Sequence, residues 1–466
     1  MSSLAAVVLA AGKGTRMRCK MPKVIQPVAG RPMILYTFEL AASLQAAPAV
    51  VVVGQQAEPI TQMLPAVGWR AVEQTEQLGT GHAMRQTEEI LKDFPGDVLV
   101  LHADVPLLRA ETLQRLVDAH RRSGAVATLL TAEMERPGRL GRVVREPNGQ
   151  VARIVEALDA SDAERAIRET NTGIYCFQAS FVYPALHDLT SDNAKGEYYL
   201  TDVIGAACRS GLLVQAVRCD DWREAIGVDS KADLARAEAL LRQQVIERLM
   251  ASGVTIIDPH TTYVHPEVQI GCDTVLHPNT HILGQTVIGE DCEIWPNTVI
   301  RDSTLADSVT IFPSCVITSS TIAAGSHVGP FAHLRPESVL GKRVRVGNFV
   351  EVKKSIIGDE SKAAHLSYIG DVVMGKDVNV GAGFIACNYD GEKKTEIVIE
   401  DGVFIGSDSQ IIAPLRIGRG AYIATGTTVR KEVPPDALVF NTKDQVHREG
   451  WALQRKPKAH GTKDEE

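Results

Sequence analysis

Residues 281–300 read HILGQTVIGEDCEIWPNTVI, and in that stretch Ile282, Ile288, Ile294 and Ile300 stand six positions apart. A strand repeats every two residues and a helix every 3.6, so neither element produces the spacing. The interval runs outward through Val264, Ile270 and Leu276, then through Val316, Ile322, Val328, Leu334, Leu340, Val346 and Val352. It returns at Ile399, Ile405, Ile411, Ile417, Ile423 and Val429. Between 264 and 429 there are 20 Val and 19 Ile against 7 Leu, a choice that suits strands over helices. Hexapeptide repeats of this kind predict a parallel β-helix, in which each turn buries its aliphatic residue only by stacking on its neighbours. Ordinary sandwich strands would alternate with period two and recur every 8 to 12 residues or so. Of the 38 glycines, 18 fall between 264 and 430, and the expectation is that they serve the sharp corners. A narrow aliphatic core also accounts for an aromatic share of only 5%.

The preceding half has a different grammar. Ala6–Leu9, Ala49–Val53 and Val98–Leu101 read as buried strands, and Pro32–Gln45, Gly81–Phe94 and Ala110–Ser123 as helices. Such alternation predicts a Rossmann-like, doubly wound parallel α/β sheet, with ligands bound beyond the carboxyl ends of the strands. Ser230–Ala251, with Leu234, Ala237, Leu241, Val245 and Leu249 at helical spacing and Gly253 beyond, reads as one long connecting helix. The expected organisation is a first domain over 1–228, a linker helix over 229–253 and a β-helix domain over 254–466 that ends in a solvated tail.

Composition narrows the function. The chain has 466 residues, 44% hydrophobic and 23% charged, which suits a globular protein and excludes wholesale disorder. A net charge of −8 offers no global attraction to nucleic acid or anionic membrane, so phosphate-bearing ligands must be held by local cations. The eight cysteines have no paired spacing, which argues against metal clusters and disulfide frameworks and points to a reducing, cytoplasmic compartment. The apolar stretch Leu4–Ala11 lacks a basic leader and reads as a strand rather than a signal peptide. No segment has 18 continuous apolar residues, so no membrane span is expected.

The loop after the first strand, Leu9-Ala10-Ala11-Gly12-Lys13-Gly14-Thr15-Arg16-Met17, concentrates small residues and cations where backbone N–H groups approach phosphate closely. It is neither common nucleotide fingerprint: a dinucleotide loop needs Gly where Met17 stands, and a P-loop needs four spacers before Gly-Lys-Ser/Thr. With Pro22-Lys23 following, the motif resembles the sugar-phosphate nucleotidyltransferase signature. Further motifs are Gln77-Leu78-Gly79-Thr80-Gly81-His82-Ala83, Asp104-Val105-Pro106-Leu107, His365-Leu366-Ser367-Tyr368-Ile369-Gly370 and Asn388-Tyr389-Asp390-Gly391. Together they make nearly the whole chain similar to the bacterial bifunctional family of N-acetylglucosamine-1-phosphate uridylyltransferases and glucosamine-1-phosphate N-acetyltransferases.

That resemblance implies a left-handed β-helix, a homotrimer, Mg2+ as cofactor, and UTP, acetyl-CoA and glucosamine-1-phosphate as small-molecule substrates. It places Leu9, Ala10, Ala11, Gly12, Gln74, Gly79, Thr80, His102, Ala103 and Asp104 on the uridine nucleotide, with Lys23 on its phosphates. Gly141, Glu156 and Asn171 would take the N-acetylglucosamine ring. Lys23, Arg16 and Lys13 are the cations available to the transferring phosphate. Asp104 would bind Mg2+ together with position 229, which is Asp229 here where the family usually has Asn. Asp229 reads equally as a cap of the connecting helix.

In the β-helix the resemblance selects Arg335 and Lys353 for the sugar phosphate, with Tyr368, Asn379 and Lys394 nearby, and leaves Lys342, Arg343 and Arg345 as a solvated face. His365 matches the general base that takes a proton from the attacking 2-amino group, a task suited to neutral imidazole. Asn388, Tyr389 and Ser407 match acetyl-CoA contacts. Thr425 stands where Ala is frequent, and Thr442 where an Arg meets the cofactor's phosphates, with Lys443 an alternative cation. Trimeric sites between β-helices would draw on more than one chain. Two other readings remain: a nucleotidyltransferase for another sugar phosphate whose β-helix is structural, and a non-catalytic trimeric scaffold that would need neither the glycine loop nor His365.

Overall fold

The computed structural model describes residues 3–55, 57–64, 68–442 and 444–454. The chain divides into two compact units, one of residues 1–248 with 264–266, the other of 249–263 with 267–466.

The first unit is built on a mixed sheet. Its strands are β1 (Leu4–Leu9), β2 (Ala49–Val53), β3 (Trp69–Glu73), β4 (Asp97–His102), β5 (Ala127–Glu133), β6 (Arg142–Arg145), β7 (Val151–Val155), β8 (Glu169–Gln178) and β9 (Val214–Arg218). Their order is β9-β5-β8-β4-β1-β2-β3, with the β6–β7 hairpin attached to β8. β1, β2, β3 and β4 pair in parallel, as do β5 and β9, but β8 runs antiparallel between the two sets. The all-parallel expectation therefore fails at β8. The exception has a use, because an antiparallel strand begins at the edge where its parallel neighbours end, which sets Asn171–Gly173 beside His102. β1, β2 and β4 are almost wholly buried on both faces, which explains their continuous aliphatic runs.

Three of the four expected helices differ at their boundaries, Ala110–Ser123 alone keeping them. The first helix is Met33–Ser43, with Pro32 just outside it, and Gly81–Phe94 proves to be two short helices, Thr80–Arg85 and Glu88–Leu91. Ala110–Ser123 ends on Gly124 in the left-handed conformation, a common helix stop. The connecting helix spans Lys231–Ala251 and buries Ala237, Leu241, Val245 and Leu249.

The second unit is a parallel β-helix. Each coil presents three short strands in chain order, here named the first, second and third faces; among the described residues nineteen strands pair across the first two faces and nine across the third. Ladder partners mostly lie 17 or 18 residues apart, as in Ile282↔Ile300 and Ile300↔Ile317, and 25 apart across the coil that carries the longest corner, as in Ile385↔Gln410. The aliphatic residue of each strand points inward, Ile294, Ile300, Ile311 and Ile405 being fully buried. One expected core position moves: Val316 is 41% exposed and Ile317 lies in the core. The cause is a step of five instead of six between Ile300 and Leu305 and again between Ile317 and Ile322, at the corner joining the second and third faces. The same corner carries the long excursion of residues 388–396. The first corner, by contrast, keeps its six-residue step from Val328 to Leu334 and from Val346 to Val352.

Glycine also plays a different part than expected. Many corner residues with left-handed backbone are Asp, Asn or Ser, such as Asp273, Asn279, Asn297 and Ser314. Gly358, which follows buried Ile357, has ordinary backbone angles, yet a Cβ there would lie 2.5 Å from the carbonyl carbon of Gly375 on the next coil. Close stacking of coils, not the turn itself, requires it. Gly358→Ala is expected to cost about 1–3 kcal/mol, as overpacking of a dense interior does, read as a lower denaturant midpoint at fixed protein concentration.

Candidate functional sites

At the carboxyl edge of the first unit's sheet lies a cleft of about 470 Å³. It is walled by Leu9, Ala10, Ala11, Gly12, Lys13, Arg16, Lys23, Gln74, Gly79, Thr80, His102, Asp104 and Asp229. It continues through the shared residues Thr80, His102, Asp104 and Asp229 into a smaller hollow of about 220 Å³ that contains Gly141, Glu156 and Asn171. Residues spread from 9 to 229 thus meet because β1, β4, β8 and the chain after β9 all reach one edge. Ala103 is fully buried behind the wall and contributes through backbone, its N–H donating to the Leu9 carbonyl at 3.1 Å.

The glycine loop is shaped around Lys23. Gly14 has φ +57°, and a Cβ there would sit 2.7 Å from Lys23 Cβ, so no side chain fits. Lys23 Nζ donates to Asp104 Oδ2 and, at 3.0 Å, to Asp229 Oδ1, which also pairs with Arg16 at 2.9 Å. Burial lowers the Lys23 pKa and raises that of Asp104, but their mutual attraction outweighs it: Lys23 is held above and Asp104 below its ordinary value. Both stay charged through neutral pH.

Gln74, only 3% exposed, donates to the Gly79 carbonyl at 3.0 Å, and Thr80 Oγ1 accepts from Leu200 N–H at 3.1 Å. Burial pushes the His102 pKa down, which favours neutral imidazole, and pushes the Glu156 carboxyl up. Asn171 Nδ2 donates to the Tyr175 hydroxyl at 2.7 Å. The two roles open for Asp229 separate here. Ser230 takes the capping position, accepting from Asp233 N–H at 3.2 Å and donating to its carboxylate at 2.7 Å, while the Asp229 carboxylate faces Lys23.

Among the described residues no three acidic, His or Cys side chains cluster as a closed metal cage. A pair of carboxylates converging on one Nζ is nonetheless a hard-oxygen donor set that fits Mg2+, which commonly takes one or two carboxylates plus substrate phosphates and water. Gln77, Arg139, Glu197 and Thr201 also line these hollows and went unassigned. Of these only Gln77 sits in a recognisable motif; Arg139 and Glu197 are brought in by loops and Thr201 by the start of the helix Thr201–Arg209.

The second unit holds a separate cluster at its second corner. Arg335 pairs with Glu351 at 2.8 Å, and Lys353 lies beside Lys394, whose neighbouring charge and hydrogen bond, with some burial, push the Lys353 pKa down. Asn388, 5% exposed, donates to Asp371 at 2.5 Å and reaches the Tyr368 hydroxyl at 3.5 Å. The Tyr389↔Lys394 bridge closes the hairpin that presents exposed Tyr389. Four of the five expected sugar-phosphate residues are therefore together. Asn379 stands apart on the first face, laddered between Lys362 and Phe404.

His365 occupies the first corner, exposed, with Nδ1 3.2 Å from Oδ1 of its ladder partner Asn348. An amide oxygen only accepts, so this contact puts the proton on Nδ1 and the lone pair on Nε2. Asn348 was missed in the sequence because its role depends on register, 17 residues before His365. Ser407 and Thr425 lie on adjoining coils of the same corner, Gly426 N–H donating to the Ser407 carbonyl at 2.8 Å. Thr442 is exposed, and Lys443 lies outside the described residues.

Residues 6–200 match the MobA-like NTP transferase domain, 251–352 the EIF2B subunit epsilon LbH domain, and 396–431 the bacterial transferase hexapeptide (six repeats). Proteins named "Bifunctional protein GlmU" from Pelobacter propionicus and Geotalea uraniireducens are each 47% identical to the chain, over 98% of it and 100% of their own length. One of the same name from Shouchella clausii is 46% identical over 97% of the chain and 99% of its own length.

Proposed function

The chain belongs to the bifunctional GlmU family, and from that premise we propose how its two units divide the work. The protein acetylates glucosamine-1-phosphate with acetyl-CoA, then joins the resulting N-acetylglucosamine-1-phosphate to UMP from UTP, releasing pyrophosphate. Residues 1–228 carry uridylyl transfer, 229–253 connect, and 254–466 form the left-handed β-helix that carries acetyl transfer. The observation that supports this most is the coexistence of two separate cationic sites, each within its own unit, with His365 at another corner of the second unit.

For uridylyl transfer no protein nucleophile is needed. A phosphate oxygen of N-acetylglucosamine-1-phosphate attacks the α-phosphorus of UTP, and the bond to the pyrophosphate oxygen breaks. Leu9–Gly12, Gln74, Gly79, Thr80 and the His102–Asp104 segment hold the nucleotide, and Gly141, Glu156 and Asn171 the sugar. Lys23, Arg16 and Lys13 face the charge spread over the transferring group. Asp104 and Asp229 would hold Mg2+, which supplies charge neutralisation at the phosphates when bound. Asp229→Asn is expected to weaken Mg2+ roughly thirtyfold, the ~2 kcal/mol between one carboxylate charge and a divalent ion at about 4 Å in water. Half-saturation of activity and direct titration calorimetry read it, and identical Mg2+ curves would remove Asp229 from the ligand set.

For acetyl transfer, Nε2 of His365 takes a proton as the sugar's 2-amino nitrogen attacks the thioester carbonyl and the coenzyme A thiolate departs. Arg335, Lys353, Tyr368 and Lys394 hold the sugar phosphate, while Asn388, Tyr389, Ser407, Thr425 and Thr442 lie along the acetyl-CoA path. The displacement of Asn379 from this cluster, and the exposed stacked pair Phe331 and Phe349 along the His365 corner, support a homotrimer whose sites are completed by a neighbouring chain. Eight unpaired cysteines and metabolite substrates suit the cytoplasm; no helix among the described residues is long and apolar enough to cross a membrane.

Incubation with glucosamine-1-phosphate, acetyl-CoA, UTP and Mg2+ tests the pair of activities through free thiol and pyrophosphate. Both products are expected. Pyrophosphate only when N-acetylated sugar is supplied would reduce the β-helix to a structural role.

A further inference from the structure

The ladder of the β-helix works as a ruler. At the second corner the residue that follows each second-face core residue forms a column running Arg335, Lys353, Gly370, Cys387, Ile412, Arg430, one residue per coil. Cations stand at both ends, and small or apolar residues between them. Coils stack about 4.8 Å apart, so Lys353 and Arg430, four coils apart, are separated by roughly 19 Å. The hairpin bearing Asn388 and Tyr389 leaves the corner between them.

Arg430 and Lys431 are exposed, and neither has an ion-pair partner among the described residues. They border a cavity of about 570 Å³ with Thr428, Glu432 and Asn441. Asn441 is fixed there, its side-chain oxygen accepting from Thr428 N–H at 2.6 Å. The following residue is Thr442, where relatives were expected to carry the arginine that meets the cofactor's phosphates.

We propose that Arg430 and Lys431 grip the phosphates of the coenzyme A donor, taking over the task that Thr442 cannot perform. The inference rests on the acetyltransferase reading above and extends it to two residues outside that site. The chemistry runs in order along the column. A phosphate monoester sits at Arg335 and Lys353, the acyl group transfers past Gly370 near Asn388, the uncharged pantetheine arm crosses Cys387 and Ile412, and the nucleotide phosphates end at Arg430. Neutral arm over neutral residues and anions over cations is the complementarity that a long, charge-tipped donor needs.

The test compares the full-length wild type with R430A/K431A, using acetyl-CoA and S-acetyl-pantetheine, which has no phosphate. Loss of charge-assisted hydrogen bonds predicts a KM for acetyl-CoA raised roughly 10- to 100-fold, with kcat nearly unchanged, as for binding shared equally by ground and transition states. KM for S-acetyl-pantetheine should stay the same, and uridylyl transfer confirms a folded chain. Adding Thr442→Arg to the double variant should restore much of the lost affinity. An unchanged KM for acetyl-CoA, or an equal rise for both donors, overturns the proposal while leaving the acetyltransferase reading standing. Absence of acetyl transfer in the wild type overturns both.

Discussion

Lys23→Ala is expected to slow uridylyl transfer by roughly 10²–10³-fold, the cost typical of removing one preorganised donor from developing charge, and to leave acetyl transfer untouched. Lys23 is held by its surroundings more firmly than a surface lysine. Its side chain is 11% exposed, it meets two carboxylates, and Gly14 lacks a side chain so that the loop can pack against its stem. Removal leaves Asp104 facing Asp229 with no cation between them, Arg16 pairing only with Asp229. The signs of the shifts also predict the pH response. Asp104 titrates below its ordinary value, so its ionised form persists as pH falls through the usual carboxylate range and is lost only below it. Lys23 titrates above its ordinary value, so alkaline pH does not discharge it until beyond the usual lysine range. Uridylyl transfer should thus be insensitive to both groups near neutrality, and in Lys23→Ala the Asp104 carboxyl should titrate at higher pH. Separate assays of pyrophosphate and thiol release check the selectivity; parallel loss of the two activities would indicate misfolding instead.

His365→Ala is expected to lower acetyl transfer roughly 10²–10⁴-fold, the range of a positioned general base, with uridylyl transfer preserved. An acetylation rate equal to wild type would remove His365 from the mechanism. Asn348 gives a second handle because it acts only through the histidine. Asn348→Ala should lower kcat less than His365→Ala does, because it removes the contact that holds Nδ1 while leaving the Nε2 base in place. A change in KM alone would assign Asn348 to packing.

Much of this architecture is legible in residue order because its determinants are local. A six-residue aliphatic interval survives in sequence because coils stack at nearly constant register, and the small residues of the Leu9–Met17 loop follow from backbone approaching phosphate closely. Register errors were equally local in origin. Val316 and Ile317 are adjacent and chemically alike, so the sequence contains no signal for the shortened corner that exchanges them. Asn348 and Asp371 were invisible for the same reason, since each matters through a partner 17 residues away on the next coil.

By itself, then, the sequence determined that the chain has a nucleotide-type α/β unit followed by a hexapeptide β-helix, and which residue types each site contains. Only the tertiary structure decided where β8 reverses, that Ser230 rather than Asp229 caps the connecting helix, and that Arg430 shares a column with Arg335 and Lys353. The physical reason is range. Periodicity and loop chemistry act over a few neighbouring residues, whereas strand direction, competition for a cap and the alignment of coils are settled by hydrogen bonds between segments that the linear order keeps apart.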